Sequence, residues 1–194
     1  MKSNIQVSTE RQLKTYVDFW DASRFFLESG QKNERGSYYQ FLGSLVFSAF
    51  TFEAFLNHIG AHLFSSWSEL ERSLSHRAKL ALISEKLDFE IDYGRMPWQI
   101  ISKLFGFRDK IAHGKDEVLR LEKVVPINDP YEEILHNFLF SDWQKFATDQ
   151  NASAVRAQLE EIMLLIHSFA KIENEQLFGQ GSHVGSALLI QGSI

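Results

Sequence analysis

The sequence predicts an all-α fold, a bundle of about five to six helices in one domain over residues 1–194. Apolar residues recur at helical spacing in several long segments, of which 152–178 is the clearest. The segment 37–64 is apolar nearly all round, which is typical of a helix buried inside a bundle. Hydrophobic residues make up 44% of the chain and include 17 phenylalanines, so the chain can fill a core.

The remaining predicted helices follow from the same periodicity and from polar breaks between them. The first covers 9–29, and a polar turn from Gly30 to Gly36 separates it from the second helix, 37–64. Further helices are predicted over 69–88, 97–113, 130–149 and 152–178. Gly114 follows the fourth helix, where a left-handed C-terminal cap favours glycine.

Two segments depart from the helical pattern. Residues 117–127 partly alternate between apolar and polar side chains, which predicts a short extended segment. The tail 179–194 is rich in Gly and Ser, and we expect it to be flexible or to pack its apolar patch against a partner.

Composition excludes several kinds of site. There is no cysteine, which excludes disulfides, thiolate zinc sites and cysteine nucleophiles. We find no phosphate loop or hydrolase elbow, and we expect no cofactor. The N-terminus lacks the apolar run of a signal peptide, and Glu53 interrupts the best span candidate, 38–64. We therefore expect a cytoplasmic protein without a membrane span.

The net charge of −5 argues against a general nucleic-acid binder, but the charge is uneven. Residues 72–123 carry 11 basic and 8 acidic side chains, against 9 and 17 in the rest of the chain. This locally basic stretch contains the segment Arg108-Asp109-Lys110-Ile111-Ala112-His113. That segment is the candidate functional centre.

The chemistry of this segment follows from helical geometry. Asp109 and His113 are four residues apart and share one face, whereas Arg108 and His113 point about 140° apart. The end of a helix favours a protonated imidazole, which suits proton transfer, and a guanidinium suits developing charge on a phosphate. Arg108 and His113 can line a shallow cleft, particularly one completed by a two-fold mate.

This segment, followed by Gly114, resembles the signature of HEPN domains: Arg, a polar residue, three variable residues, and His. The upstream segment Phe52-Glu53-Ala54-Phe55-Leu56-Asn57 is similar to the helix with an acidic residue and Asn in many such domains. The resemblance covers about residues 37–114 by pattern. The position after Arg is most often Asn in the family, and here it is Asp109.

The resemblance implies a metal-independent endoribonuclease, in which a 2′-hydroxyl of the RNA attacks its own phosphate. Arg108, His113 and Asp109 would be catalytic, and Glu53 and Asn57 would support them. The site would lie at a homodimer interface of a bacterial toxin-like or defence-related protein, with an antitoxin or regulatory protein as a further partner.

Other interpretations stay open. The chain can be a non-catalytic module of the same fold that binds RNA, nucleotide or protein, or a structural helical protein with a chance motif. Asp109 and His113 can form a simple helix-stabilising pair, and Arg108 can be the structural partner of Glu53. His58 and His62 have the spacing of zinc ligands but no third ligand nearby, which favours surface or interface histidines.

Overall fold

The computed structural model describes residues 4–126, 139–172 and 176–190. Most of these residues are helical, as the sequence predicts. In chain order the elements are β1 (Asn4–Arg11), α1 (Thr15–Lys32), α2 (Ser37–Leu63), α3 (Trp67–Leu70), α4 (His76–Leu87), α5 (Gln99–Ala112), α6 (Asp142–Phe146), α7 (Asp149–Ala170) and β2 (His183–Ile190). The helical class is confirmed, and the described residues add a two-stranded sheet that was not predicted.

The chain divides into two compact units, each made of non-contiguous segments. The first unit is formed by Met1–Asp21, Phe50–Glu90 and Met163–Ile194. The second is formed by Ala22–Ala49 and Ile91–Ile162. Three of the four boundaries fall inside helices, in α1, α2 and α7, so each of these helices contributes residues to both units.

The first unit has an aromatic core. Tyr16 packs edge-on against Phe55 with ring centroids 5.6 Å apart, and its hydroxyl donates to the Leu177 carbonyl at 2.5 Å. Trp67 is buried against Gly60 of α2, where an added Cβ would lie 2.1 Å from the indole. A side chain at position 60 would collide with that ring, so glycine is required there by packing.

The two strands of the first unit pair antiparallel, from Asn4 opposite Ile190 to Arg11 opposite His183. Ile5, Val7 and Leu188 are all exposed on this ribbon. The helix predicted over 9–29 therefore begins later, at Thr15, because residues up to Arg11 pair with the other end of the chain.

The helical segments of the second unit are joined by hydrogen bonds between serine side chains and by aromatic contacts. Ser23 Oγ lies 3.0 Å from the Ser44 carbonyl and 2.7 Å from Ser48 Oγ, so these buried hydroxyls satisfy one another. Phe26 stacks on Phe47 with centroids 5.5 Å apart. Its apolar core comes from α2, α5 and α7 and includes Leu45, Ala49, Ile101, Leu104, Phe105, Ala152, Val155, Leu159 and Ile162.

Helix boundaries agree with the sequence in some places and differ in others. The helix predicted over 69–88 is two helices, because Ser75 caps α4 by accepting from the Ala78 amide at 3.2 Å. The prediction of a left-handed Gly114 is wrong, since His113 caps α5 with φ −111° and the described left-handed glycine is Gly36.

The later predictions have mixed outcomes. No strand forms over 117–126, and residue 127 lies outside the described residues. Of the helix predicted over 130–149, residues up to 138 also lie outside them, and the described part holds the short α6. The last helix, α7, starts and ends earlier than the predicted 152–178.

By length and composition, α2 is the one helix among the described residues that is long and apolar enough to cross a bilayer. Half of its most apolar stretch is buried inside the protein. A buried core helix passes the same test, so this finding carries no conclusion about a membrane.

Candidate functional site

Helix α5 carries the candidate motif and is anchored in the second unit by its apolar face. Ile101, Leu104 and Phe105 are almost fully buried there. Arg108 is half-buried, whereas Asp109 is exposed. The anchored face thus turns the polar half of the motif toward the protein surface.

The guanidinium of Arg108 is held by two neighbours on its own helix. Its Nη1 lies 3.2 Å from Asp109 Oδ1, and its Cζ lies 5.1 Å from the ring centroid of Phe105. The side chain of Arg108 keeps 22% of its surface exposed. Asp109 therefore orients Arg108, and the carboxylate also offsets part of its charge.

His113 is the residue that caps α5, and it is exposed. Its backbone amide donates to the Asp109 carbonyl at 3.0 Å. Between the Asp109 carboxylate and the imidazole, both in the described part of the chain, there is neither a hydrogen bond nor an ion pair. Asp109 and His113 therefore do not form a helix-stabilising pair in the structure.

A surface cavity of about 340 Å³ lies beside His113. Its other lining residues are Asp109, Lys110, Lys115 and Glu117. Arg108 does not line this cavity, so one protomer does not gather both motif groups in it. This agrees with the helical geometry, which points the two side chains about 140° apart.

Glu53 lies on the part of α2 that belongs to the first unit. Its Oε1 is 3.8 Å from Nζ of Lys79, whose side chain is only 3% exposed. A buried ammonium is costly unless it is paired, so Glu53 has a structural role as the partner of Lys79. The sequence analysis left Arg108 as a possible partner of Glu53, whereas the structure pairs Glu53 with Lys79.

Asn57, one turn after Glu53, lines a different cavity of the first unit, about 350 Å³ in volume. Lys14, Tyr16 and His58 line it too. Within the described residues, no group donates a hydrogen bond to the buried Oδ1 of Asn57. The motif residues of α5 thus lie in one unit, and Glu53 and Asn57 lie in the other.

The histidine pair on α2 does not form a metal site. The rings of His58 and His62 lie 4.5 Å apart, and Nδ1 of His62 lies 2.8 Å from the His58 carbonyl. Over the described ranges, no group of three or more His, Asp or Glu side chains could hold a metal ion. His58 also packs against Tyr16, with ring centroids 5.0 Å apart.

The sequence analysis did not predict a cavity of about 510 Å³ in the second unit. Helix α5 lines it with Ile100, Lys103, Gly106, Phe107 and Lys110. The sequence predicts these residues only as part of the helix over 97–113. Gly106, unusual inside a helix, is a sequence signal at this wall, but a lone glycine does not by itself indicate a cavity.

Comparison with known proteins finds no matching family model, and comparisons with curated proteins and with solved structures find no match either.

Proposed function

We propose that the chain is a HEPN-type, metal-independent endoribonuclease of the cytoplasm that acts as a homodimer. The observation that carries this proposal is the placement of the motif. Arg108 and His113 both reach solvent at the end of α5, in the locally basic part of the chain, yet they do not share the cavity beside His113. A second copy, related by two-fold symmetry, would supply the missing group to each site.

The reaction follows from these two groups. The 2′-oxygen of a ribose forms a bond to the adjacent phosphorus, and the bond from phosphorus to the 5′-oxygen breaks. His113 takes the proton of the 2′-hydroxyl, and the imidazolium so formed gives that proton to the departing 5′-oxygen. Arg108 stabilises the charge that develops on the phosphate oxygens. The products are a 2′,3′-cyclic phosphate and a 5′-hydroxyl.

Asp109 orients the guanidinium of Arg108, while Glu53 and Asn57 support the fold of α2. A toxin-like or defence-related role, with an antitoxin or regulatory protein as partner, is part of this proposal and rests on the motif resemblance alone. The proposed cleavage reaction uses no metal or cofactor.

A second candidate is a non-catalytic module of the same fold that binds RNA, a nucleotide or a protein. One observation favours it: the Asp109 carboxylate, 3.2 Å from Nη1 of Arg108, opposes a phosphate at that position. The third interpretation is a structural helical protein in which the motif of α5 occurs by chance.

The deciding experiment is cleavage of RNA in EDTA by the wild type, His113→Ala and Arg108→Ala. We expect either substitution to lower the rate by about 10²- to 10⁴-fold. Arg95→Ala is the matched control, because Arg95 is also paired with an aspartate, Asp92, at 3.3 Å but lies outside the motif. Products with 2′,3′-cyclic phosphate ends are expected.

Mixing the two inactive variants tests whether the site is shared. In a dimer of Arg108→Ala with His113→Ala, one site keeps both groups only if they come from different protomers. Recovered activity supports the shared site, and no recovery places both groups in one protomer. RNA binding without cleavage favours the module, and the absence of both in a monomer leaves the structural protein.

A further inference from the structure

The cavity of about 510 Å³ in the second unit lies between α5, α6 and α7. Its size falls in the range of small-molecule pockets, roughly 300–1,000 Å³. Its α5 wall includes Phe107 and Lys110, which belong to the same helix as the motif. Lys110 also lines the cavity beside His113, so the two cavities adjoin at this lysine.

Gly106 lies at an open part of the cavity wall. A Cβ added at Gly106 would meet nothing within 4 Å, so no neighbour requires a glycine there. Its φ is outside the left-handed region, so the backbone does not require glycine either. Glycine inside a helix is destabilising relative to alanine. The one effect visible in the structure is extra space at the cavity wall.

The cavity walls suit a flat, polar-edged group. Phe107 and Phe146 lie with ring centroids 5.2 Å apart, and the half-buried indole of Trp143 adds a third aromatic surface. Gln158 of α7 lines the same cavity, and its Oε1 is buried with no hydrogen-bond donor among the described residues. A buried acceptor gains from a donor on a ligand, such as the exocyclic amine of a base.

The charges at the rim suit a phosphate next to that flat group. Lys103 and Lys110 are exposed, seven residues apart on α5, and both line the cavity. The acidic residue of the rim, Asp142, lies 3.8 Å from Nζ of Lys145. Aromatic surfaces combined with lysines are the features by which proteins hold single-stranded nucleic acids.

We propose that this cavity binds one unstacked base of a single-stranded RNA, whose backbone passes Lys110 to reach His113. This inference rests on the proposed function and names its substrate: a single strand rather than a duplex. The base stacks on Trp143, Gln158 accepts a hydrogen bond from it, and the two lysines contact the adjoining phosphates.

Fluorescence of Trp143 tests the pocket without relying on cleavage. The other tryptophans, Trp20, Trp67 and Trp98, are buried. The titrant is a short 2′-fluoro oligonucleotide, which has no attacking 2′-hydroxyl. We expect quenching that Trp143→Phe removes, and little quenching by the same strand with abasic residues or by a duplex.

Affinity measured by anisotropy supplies the second readout. Trp143→Ala is expected to weaken binding roughly 10- to 100-fold, the usual loss when a stacking surface is removed. Gly106→Leu, which fills the cavity, is expected to weaken it similarly, whereas Gly106→Ala leaves most of the space. Unchanged affinity in both Trp143→Ala and Gly106→Leu would overturn the proposal, as would equal binding of duplex and abasic strands.

The two proposals fail in different ways. If RNA is not cleaved but the single strand still quenches Trp143, the base pocket stands and the nuclease falls. If RNA is cleaved while Trp143 does not respond and Gly106→Leu cleaves normally, the nuclease stands and the pocket falls. Quenching by small aromatic carboxylates but not by RNA would assign the cavity to another ligand and reject the proposal.

Discussion

Two ion pairs of this protein differ in how far water reaches them. One joins Lys79 to Glu53, and the other joins Arg108 to Asp109. The side chains of the first pair are 3% and 34% exposed, and those of the second are 22% and 51% exposed. A buried ammonium depends on its carboxylate, whereas a partly exposed guanidinium keeps contact with solvent. The first pair therefore serves the fold, and the second lies where it can act on a ligand.

Breaking the buried pair should give the largest effect on stability. Glu53→Leu is expected to lower the free energy of unfolding by about 3 kcal/mol, because Lys79 then stays buried without this carboxylate. Lys79→Met should cost less, since Glu53 is a third exposed and can turn to water. Urea unfolding of each variant measures both values.

The double variant Glu53→Leu/Lys79→Met is the internal control. Replacing both charges with apolar groups should recover much of the loss. Lys32→Met, in the exposed pair of Lys32 with Glu28, is the surface control and should cost under about 1 kcal/mol. Equal losses in the two single variants would contradict the expected asymmetry, and strict additivity in the double would show that the pair is not coupled.

Two helix glycines extend the contrast between a filled region and an open one. Gly60→Ala should lower the free energy of unfolding by about 1–3 kcal/mol, because the new Cβ would lie 2.1 Å from the buried indole of Trp67. Gly106→Ala should raise it by up to about 1 kcal/mol, because nothing lies within 4 Å of its Cβ and alanine favours a helix. Thermal unfolding of both variants gives the two signs, and a destabilising Gly106→Ala would contradict an open wall.

The sequence predicts helices well where one strong local pattern decides the structure. The segment 37–64 matches α2, Ser37–Leu63, because an apolar run of that length is typical of a buried helix. The strands could not be predicted, since β1 pairs with β2 from the opposite end of the chain. The alternation of Ile5 and Val7 was too short a signal against an adjoining helical pattern.

The location of the motif at a helix end was predictable from the sequence, but its surroundings were not. The motif in α5 is local, and the structure places it at a helix end near the surface, as expected. The sequence left open a pair of Asp109 with His113 and a pair of Arg108 with Glu53. The structure instead shows that Asp109 contacts Arg108. The adjoining cavity forms where α5 meets α6 and α7, which lie about 30 residues or more further along the chain, so Gly106 alone could not indicate it.

The smallest effect is expected from changing the exposed pair of Arg108 with Asp109, and the quantity it changes is the affinity for RNA. Asp109→Asn keeps an amide oxygen that can accept from Arg108 but removes the negative charge beside a bound phosphate. The repulsion between exposed charges a few ångströms apart is about 1 kcal/mol, so RNA should bind roughly fivefold more tightly. The free energy of unfolding should change by less than about 0.5 kcal/mol, as for most surface substitutions.

Anisotropy with the uncleavable strand, at low and at high salt, measures this gain. The gain should shrink with salt, because added ions screen an exposed carboxylate from a phosphate. Asp92→Asn is the matched control, since Asp92 is also an exposed partner of an arginine, Arg95, and should leave affinity unchanged. A weaker complex in Asp109→Asn would mean that the charge of Asp109 is needed to hold Arg108 in place, and the exposed pair would then resemble the buried one.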